Sequence, residues 1–133
     1  MRTLRLVTLV VLLAILVTIA TASWAVATRT LHVRASISTH HPSQYSHVTA
    51  YCNAKDQNGK AISGVKCVFT WHHKTVSNKF TAHTGGSGRA SSKDFVGRGP
   101  RDFRVWITIR CTWKEQVRTC RTWFIPKGSP NKK

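Results

Sequence analysis

Acidic side chains are almost missing from this 133-residue sequence, which has four Asp and Glu against 21 Lys and Arg. Glycosidases and many hydrolases depend on a pair of carboxylates, or on a nucleophile that a base orients. The few acids are scattered along the chain among predicted turns: Asp56, Asp94, Asp102 and Glu115. We therefore predict that the protein is not an enzyme and that it uses no cofactor.

Motifs for metals and nucleotides are missing as well. The four cysteines, Cys52, Cys67, Cys111 and Cys120, include no Cys-x-x-Cys pair of the kind that a zinc knuckle supplies. The glycine cluster Gly85-Gly86-Ser87-Gly88 matches no nucleotide-binding fingerprint, and no helical pattern follows it. These absences favour a protein without a bound nucleotide or metal.

Histidine is the remaining candidate metal ligand, and two doublets occur among seven histidines, His40-His41 and His72-His73. Adjacent residues on a strand point to opposite faces, so a doublet cannot place both rings on one metal without a turn. We expect solvated histidines near strand ends and no metal site.

The charge that is present is strongly positive, at +17. A field of this sign attracts polyanions such as nucleic acid, anionic lipid, acidic polysaccharide or teichoic acid. The alternative is a generally basic surface that serves solubility or retention in a cell envelope. The charge does not bear on the fold.

The N-terminus predicts export. Arg2 and Arg5 precede an uncharged apolar stretch from Leu6 to Thr28, which indicates a signal peptide or a membrane anchor over residues 1–27. Small-x-small sites at Ala20-Thr21-Ala22 and Ala25-Val26-Ala27 favour cleavage. Both alternatives place the rest of the chain outside the cytoplasm, because positive residues stay inside. We therefore predict a secreted or extracytoplasmic protein.

Export determines the interpretation of the cysteines, because four cysteines in a short exported chain more often form two disulfides than a metal site. Sequence allows three pairings. Sequential pairing, Cys52 with Cys67 and Cys111 with Cys120, is slightly favoured. The pairing typical of antibody domains would instead join Cys52 to Cys111 and leave Cys67 for Cys120.

Apolar residues alternate with polar ones through residues 28–126, with no helical spacing. The clearest runs are Leu31 to Ser38, Val65 to Trp71 and Val105 to Trp113, each with the period of two that is typical of a half-buried strand. Weaker strands are predicted at Lys79 to His83 and Arg89 to Val96. About seven short strands separated by turns predict an antiparallel, immunoglobulin-like β-sandwich. A basic polar tail follows at 127–133.

The last strand, from Arg118 to Ile125, is predicted to fold back around residues Lys114 to Val117. In that register Cys111 faces Cys120 and Arg110 faces Arg121. The exposed side of this hairpin is our candidate binding face, because Trp beside Arg is a common composition of binding surfaces. Its members are Trp106, Arg110, Arg121 and Trp123, with Lys114 and Arg118 at the tip. The competing interpretation is that one of these tryptophans belongs to the core.

A separate basic loop, Arg98, Arg101 and Arg104, precedes this hairpin.

The run from Asp56 to Phe69, with Asp56-x-x-Gly59, Gly64-Val65 and the strand that begins after it, resembles bacterial immunoglobulin-like domains of the invasin/intimin type. Thr84, Gly88 and Ala90 are similar to a turn of the same family, Thr-x-x-x-Gly-x-Ala. The resemblance covers roughly Leu31 to Pro126. It implies a β-sandwich that works as an extracellular or cell-surface module. The chain departs from the family in being a lone domain, in Gly85 where Asp is frequent, and in its cysteines and basic charge.

Two functional hypotheses follow. The first is an exported binding or structural module whose basic face engages an anionic envelope polymer or a protein partner, with membrane contact only through an uncleaved N-terminal segment. The second is a secreted cationic effector that acts on anionic membranes or on nucleic acid, although nucleic acid is not the partner we expect physiologically.

Overall fold

The computed structural model describes residues 28–97 and 101–128, in which seven strands form. The predicted export segment 1–27, Arg98 and the tail beyond Gly128 lie outside the described residues. Within the two described ranges, no helix is long and apolar enough to cross a bilayer. The strands are β1 (His32–Ile37), β2 (His47–Lys55), β3 (Lys66–His72), β4 (Ser77–His83), β5 (Arg89–Phe95), β6 (Val105–Trp113) and β7 (Gln116–Phe124).

The strands form two antiparallel sheets, which confirms the predicted immunoglobulin-like sandwich. One sheet has the order β1-β2-β5 and the other β4-β3-β6-β7. In the constant-type immunoglobulin arrangement the fourth strand joins the first sheet, whereas here β4 pairs with β3 along its whole length. The four-stranded sheet therefore presents the wider outer surface.

Alternation along each strand separates a core from two solvent-facing surfaces. On β2, for example, Val48, Ala50 and Cys52 are fully buried while the residues between them are partly exposed. The largest buried side chains come from the four-stranded sheet (Trp71, Phe69, Ile107, Ile109 and Phe124) and from two residues outside the strands, Leu31 and Ile62. Trp71 donates its indole N–H to Ser92 Oγ of the other sheet at 3.2 Å, so its one polar atom is satisfied inside the core.

The residues that carry the family resemblance hold two turns in place. Asp56 Oδ1 accepts hydrogen bonds from the backbone N–H groups of Asn58 and Lys60, both at 2.9 Å, around Gly59 at φ +77°. The buried hydroxyl of Thr84 donates to Ile62 O at 2.7 Å and accepts from Val65 N at 2.9 Å. Asp56 and Thr84 are therefore residues that stabilise turns in this chain.

The register of the last hairpin corrects the prediction. β6 and β7 are joined through the two residues Lys114 and Glu115, so that Cys111 lies opposite Arg118 and Cys120 opposite Ile109. The predicted register, with Cys111 facing Cys120, is wrong by two positions. A shift of two keeps every side chain on its predicted face, because the side-chain period of a strand is two.

Candidate anion-binding face

A row of alternating aromatic and cationic side chains lies on the outer surface of β6 and β7. Trp106 and Trp123 are directly opposite each other. The Arg121 guanidinium lies 4.5 Å from the ring centroid of Trp106, and that of Arg104 lies 4.6 Å from Trp123 and 5.6 Å from Trp106. His40 completes the row, with its ring centroid 4.4 Å from that of Trp123. We call these five residues the tryptophan–arginine ladder.

Three different parts of the chain supply the ladder. The strand pair β6–β7 places both tryptophans and Arg121, and Arg104 immediately precedes β6. His40 comes from the segment after β1, which is held against the segment after β7 by the hydrogen bond from Ile125 N to His40 O at 2.8 Å. The His40 ring also contacts the Trp123 carbonyl through Nδ1 at 2.8 Å. These contacts restrain the ladder before any ligand arrives.

Only some residues of the predicted binding face lie together in the structure. Trp106, Trp123 and Arg121 lie together, and Arg110 lies on the same surface farther along β6. Arg110 opposes Thr119 and Arg121 opposes Thr108, so the predicted Arg110–Arg121 pairing is wrong.

The other two predicted members lie at the far end of the hairpin. Lys114 Nζ is 4.5 Å from the Trp113 ring, and Arg118 donates to Val117 O at 2.9 Å. Trp106 and Trp123 are both partly exposed, whereas Trp71 is fully buried.

Sequence reasoning missed two ladder residues. The sequence pattern places Arg104 in a separate basic loop with Arg98 and Arg101, although Arg104 is an even-numbered position like the outward residues Trp106, Thr108 and Arg110. That parity is the signal that could have placed it on this face. No local pattern indicates His40, because its position depends on contacts with the segment after β7.

No acidic residue occupies an outward position of the four-stranded sheet. The outward residues on β3 and β4 are Lys66, Val68, Thr70, His72, Ser77, Lys79, Thr81 and His83. Those on β6 and β7 are Trp106, Thr108, Arg110, Thr112, Val117, Thr119, Arg121 and Trp123. The positive charges of this surface are therefore not neutralised by a carboxylate within it, and they attract anions together.

The opposite sheet is also basic on its outer surface, through Arg34, Lys55, Arg89 and Lys93. There the Arg89 guanidinium lies 3.8 Å from the Tyr51 ring, and the ring centroids of His47 and Phe95 are 5.2 Å apart, but no tryptophan is involved. Charge alone does not distinguish the two faces, but the ladder does.

Two of the acids are engaged elsewhere. Asp56 Oδ2 pairs with Arg29 Nε at 3.0 Å, and hydrogen bonds from the Lys60 backbone, together with Arg29, hold the pKa of Asp56 below its ordinary value. Asp94 Oδ2 contacts His73 Nε2 and Asn78 Nδ2, each at 2.9 Å. Asp94 thus lies on β5 and points inward between the sheets.

The four cysteines form one cluster between the sheets. Sγ of Cys111 lies 3.2 Å from that of Cys52 and 3.3 Å from that of Cys67, and Cys52 Sγ lies 4.0 Å from Cys120 Sγ. All four are free thiols in this structure; Cys120 is partly exposed and the others are buried. Thiol hydrogen bonds and burial raise the pKa of Cys52 and Cys111, whereas hydrogen bonds from Cys111 lower that of Cys67 and Cys120.

The sulfur atoms of Cys52, Cys111 and Cys120 lie within 4.8 Å of one another, so among the described residues these three could together contact one metal ion. Thiolates suit soft or borderline metals such as Zn²⁺ or Cu⁺. Thiols so close together are able to form disulfides or to bind a metal.

The chain matches no protein-family model, and no curated protein is significantly similar to it in sequence.

Proposed function

We propose that this protein is a non-enzymatic, exported immunoglobulin-like module that binds anionic polymers outside the cell through the tryptophan–arginine ladder. The observation that carries the proposal is the alternation of guanidinium groups and indole rings on a sheet surface without acidic side chains. Secretion or surface display rests on the apolar segment 1–27 and on the resemblance to invasin/intimin-type domains.

The chemistry of the ladder suits sulfate, phosphate or carboxylate groups on a polymer. An arginine stacked on an indole keeps its N–H donors in the plane of the guanidinium, where they can bind an oxyanion in a bidentate manner. Each cation–π contact between an arginine and an indole contributes about 0.5 to 1 kcal/mol at an exposed site. Because the arginine side chain is already restrained, ligand binding loses less side-chain entropy. The indole edges remain available to the apolar faces of a sugar or to another planar group.

Affinity for dextran sulfate compared with neutral dextran tests this proposal. We expect the double variant Arg104→Ala/Arg121→Ala to bind dextran sulfate at least roughly tenfold more weakly, because two charge-assisted contacts are lost. The control Lys60→Ala/Lys93→Ala removes the same charge from exposed positions outside the four-stranded sheet and should lose much less affinity. Equal losses in the two variants would mean that net charge, and not this face, determines binding.

The hypothesis of a cationic effector predicts a different result. An effector should release dye from vesicles that contain anionic lipid while leaving neutral vesicles intact. A polymer-binding module should bind dextran sulfate with an affinity that falls steeply as salt rises, without releasing dye. Leakage at the concentrations that saturate dextran sulfate would favour the effector.

A further inference from the structure

The cysteine cluster allows three disulfide pairings, and the strand geometry distinguishes them. Cys67 is on β3, Cys111 on β6 and Cys120 on β7 of one sheet, while Cys52 is on β2 of the other. A disulfide requires Cα atoms within about 7 Å and Cβ atoms about 3.8 Å apart. Each pairing can be compared with this requirement.

The antibody-like pairing fails for its second bond. It would use the shortest sulfur contact, Cys52 to Cys111 at 3.2 Å, and leave Cys67 with Cys120. Those two are on β3 and β7, which are separated by β6. Neighbouring strands are about 4.8 Å apart, so strands two positions apart are roughly 9.6 Å apart, beyond the reach of a disulfide. This pairing would give one bond and two free thiols.

The sequential pairing is disfavoured by register, although the sulfurs of Cys111 and Cys120 lie within 4.8 Å of each other. Cys111 lies opposite Arg118 and Cys120 opposite Ile109, so the two cysteines are diagonal neighbours on β6 and β7. Diagonal residues of an antiparallel pair are about 7 to 8 Å apart, against about 4.5 to 5.5 Å for residues directly opposite. A bond between Cys111 and Cys120 would fit the register predicted from sequence, in which the two are directly opposite, but not the observed one.

The third pairing joins two pairs of thiols that are both in contact. Cys67 and Cys111 are directly opposite each other on β3 and β6, with their sulfurs 3.3 Å apart. Cys52 and Cys120 are in contact across the two sheets at 4.0 Å. We propose that the exported protein contains disulfides between Cys67 and Cys111 and between Cys52 and Cys120. The first bond joins adjacent strands, and the second joins the two sheets.

A closed zinc site is disfavoured by the same geometry. A structural zinc ion takes four ligands in a tetrahedron, but the set of mutually close sulfurs has three members and Cys67 is not among them. Oxidation needs only pairs. Each bond forms when two thiols transfer two electrons and two protons, by thiol–disulfide exchange, to the disulfide of an oxidised dithiol catalyst, which is released as a dithiol.

Trypsin, which cleaves after Lys and Arg, places every cysteine on its own peptide: 35–55, 67–74, 111–114 and 119–121. The secreted protein is alkylated in denaturant, digested without reduction and analysed by mass spectrometry. We expect peptide 67–74 linked to 111–114, peptide 35–55 linked to 119–121, and no alkylated cysteine. Links of 35–55 to 67–74 or to 111–114, four alkylated cysteines, or one bound zinc ion per chain would overturn the proposal.

Two double variants provide a matched comparison. Cys67→Ala/Cys111→Ala leaves Cys52 and Cys120 and should retain one disulfide, whereas Cys52→Ala/Cys111→Ala leaves Cys67 and Cys120 and should retain two free thiols. A disulfide in the second variant would contradict the strand-spacing argument. The peptide map of the unmodified protein decides the pairing even if a variant fails to fold.

Discussion

At the scale of single residues, Asp56 and Asp94 have carboxylates bonded within the fold, whereas no carboxylate contact is described for Arg104 or Arg121. The two carboxylate oxygens of Asp56 accept bonds from two backbone N–H groups and from Arg29. The contacts described for Arg104 and Arg121 are with indole rings. An anion can therefore approach these guanidinium groups without displacing an internal partner.

The lowered pKa of Asp56 predicts how stability depends on pH. A carboxyl whose pKa is lower in the folded state contributes stability above its unfolded pKa of about 3.9, and this contribution is lost as pH falls through the folded value. The variant Asp56→Asn should be less stable than the unmodified protein near neutral pH, and the difference should shrink at low pH. Urea unfolding at a series of pH values measures it.

Asp102→Asn, at an exposed turn residue, is the control and should change stability near neutral pH much less than Asp56→Asn does. A difference for Asp56→Asn that stays constant down to the lowest pH would contradict the role assigned to the carboxylate.

At the scale of elements, the sequence predicts well where strands lie and which side chains face the core. It predicts poorly which residues of neighbouring strands lie opposite each other. The alternation from Val105 to Trp113 predicts β6 with its observed bounds, because burial on one face imposes a period of two. The hairpin register depends on the turn, where Lys114 adopts φ +53°. Asn or Gly would have indicated such a two-residue turn, but Lys-Glu carries no signal of this kind. The predicted turn was therefore too long.

The turn before β5 allows a sharp test of backbone geometry. Gly88 has φ +74°, and a Cβ there would lie 2.5 Å from the carbonyl oxygen of Ala54. The variant Gly88→Ala should lose about 2 to 3 kcal/mol of unfolding free energy, because both the backbone angle and the close approach oppose a side chain.

Gly85 is in the same turn, but a Cβ added there would have no other atom within 4 Å. The variant Gly85→Ala should therefore change the unfolding free energy by less than about 0.5 kcal/mol. Similar losses for the two variants in denaturant titrations would show that glycine at 88 is not required by its geometry.

At the scale of the whole molecule, two sheets with basic outer surfaces enclose one core that contains three cysteines, with the partly buried Cys120 packed against it. Composition predicts the attraction to anions, since charge acts over the entire surface. It cannot predict where an anion binds, because the ladder depends on three segments that meet only in the folded chain. The two sheets therefore differ in the arrangement of their side chains more than in the sign of their charge.

The most direct test of the proposed binding face is a nuclear magnetic resonance titration of the ¹⁵N-labelled secreted protein with sucrose octasulfate, a small sulfated probe. The indole N–H signals of Trp106 and Trp123 should shift as the probe is added, together with backbone amides of β6 and β7. The indole N–H signal of Trp71, which is buried and hydrogen-bonded to Ser92, should not shift. Shifts centred on β1, β2 and β5, with the indoles of Trp106 and Trp123 unmoved, would contradict the account.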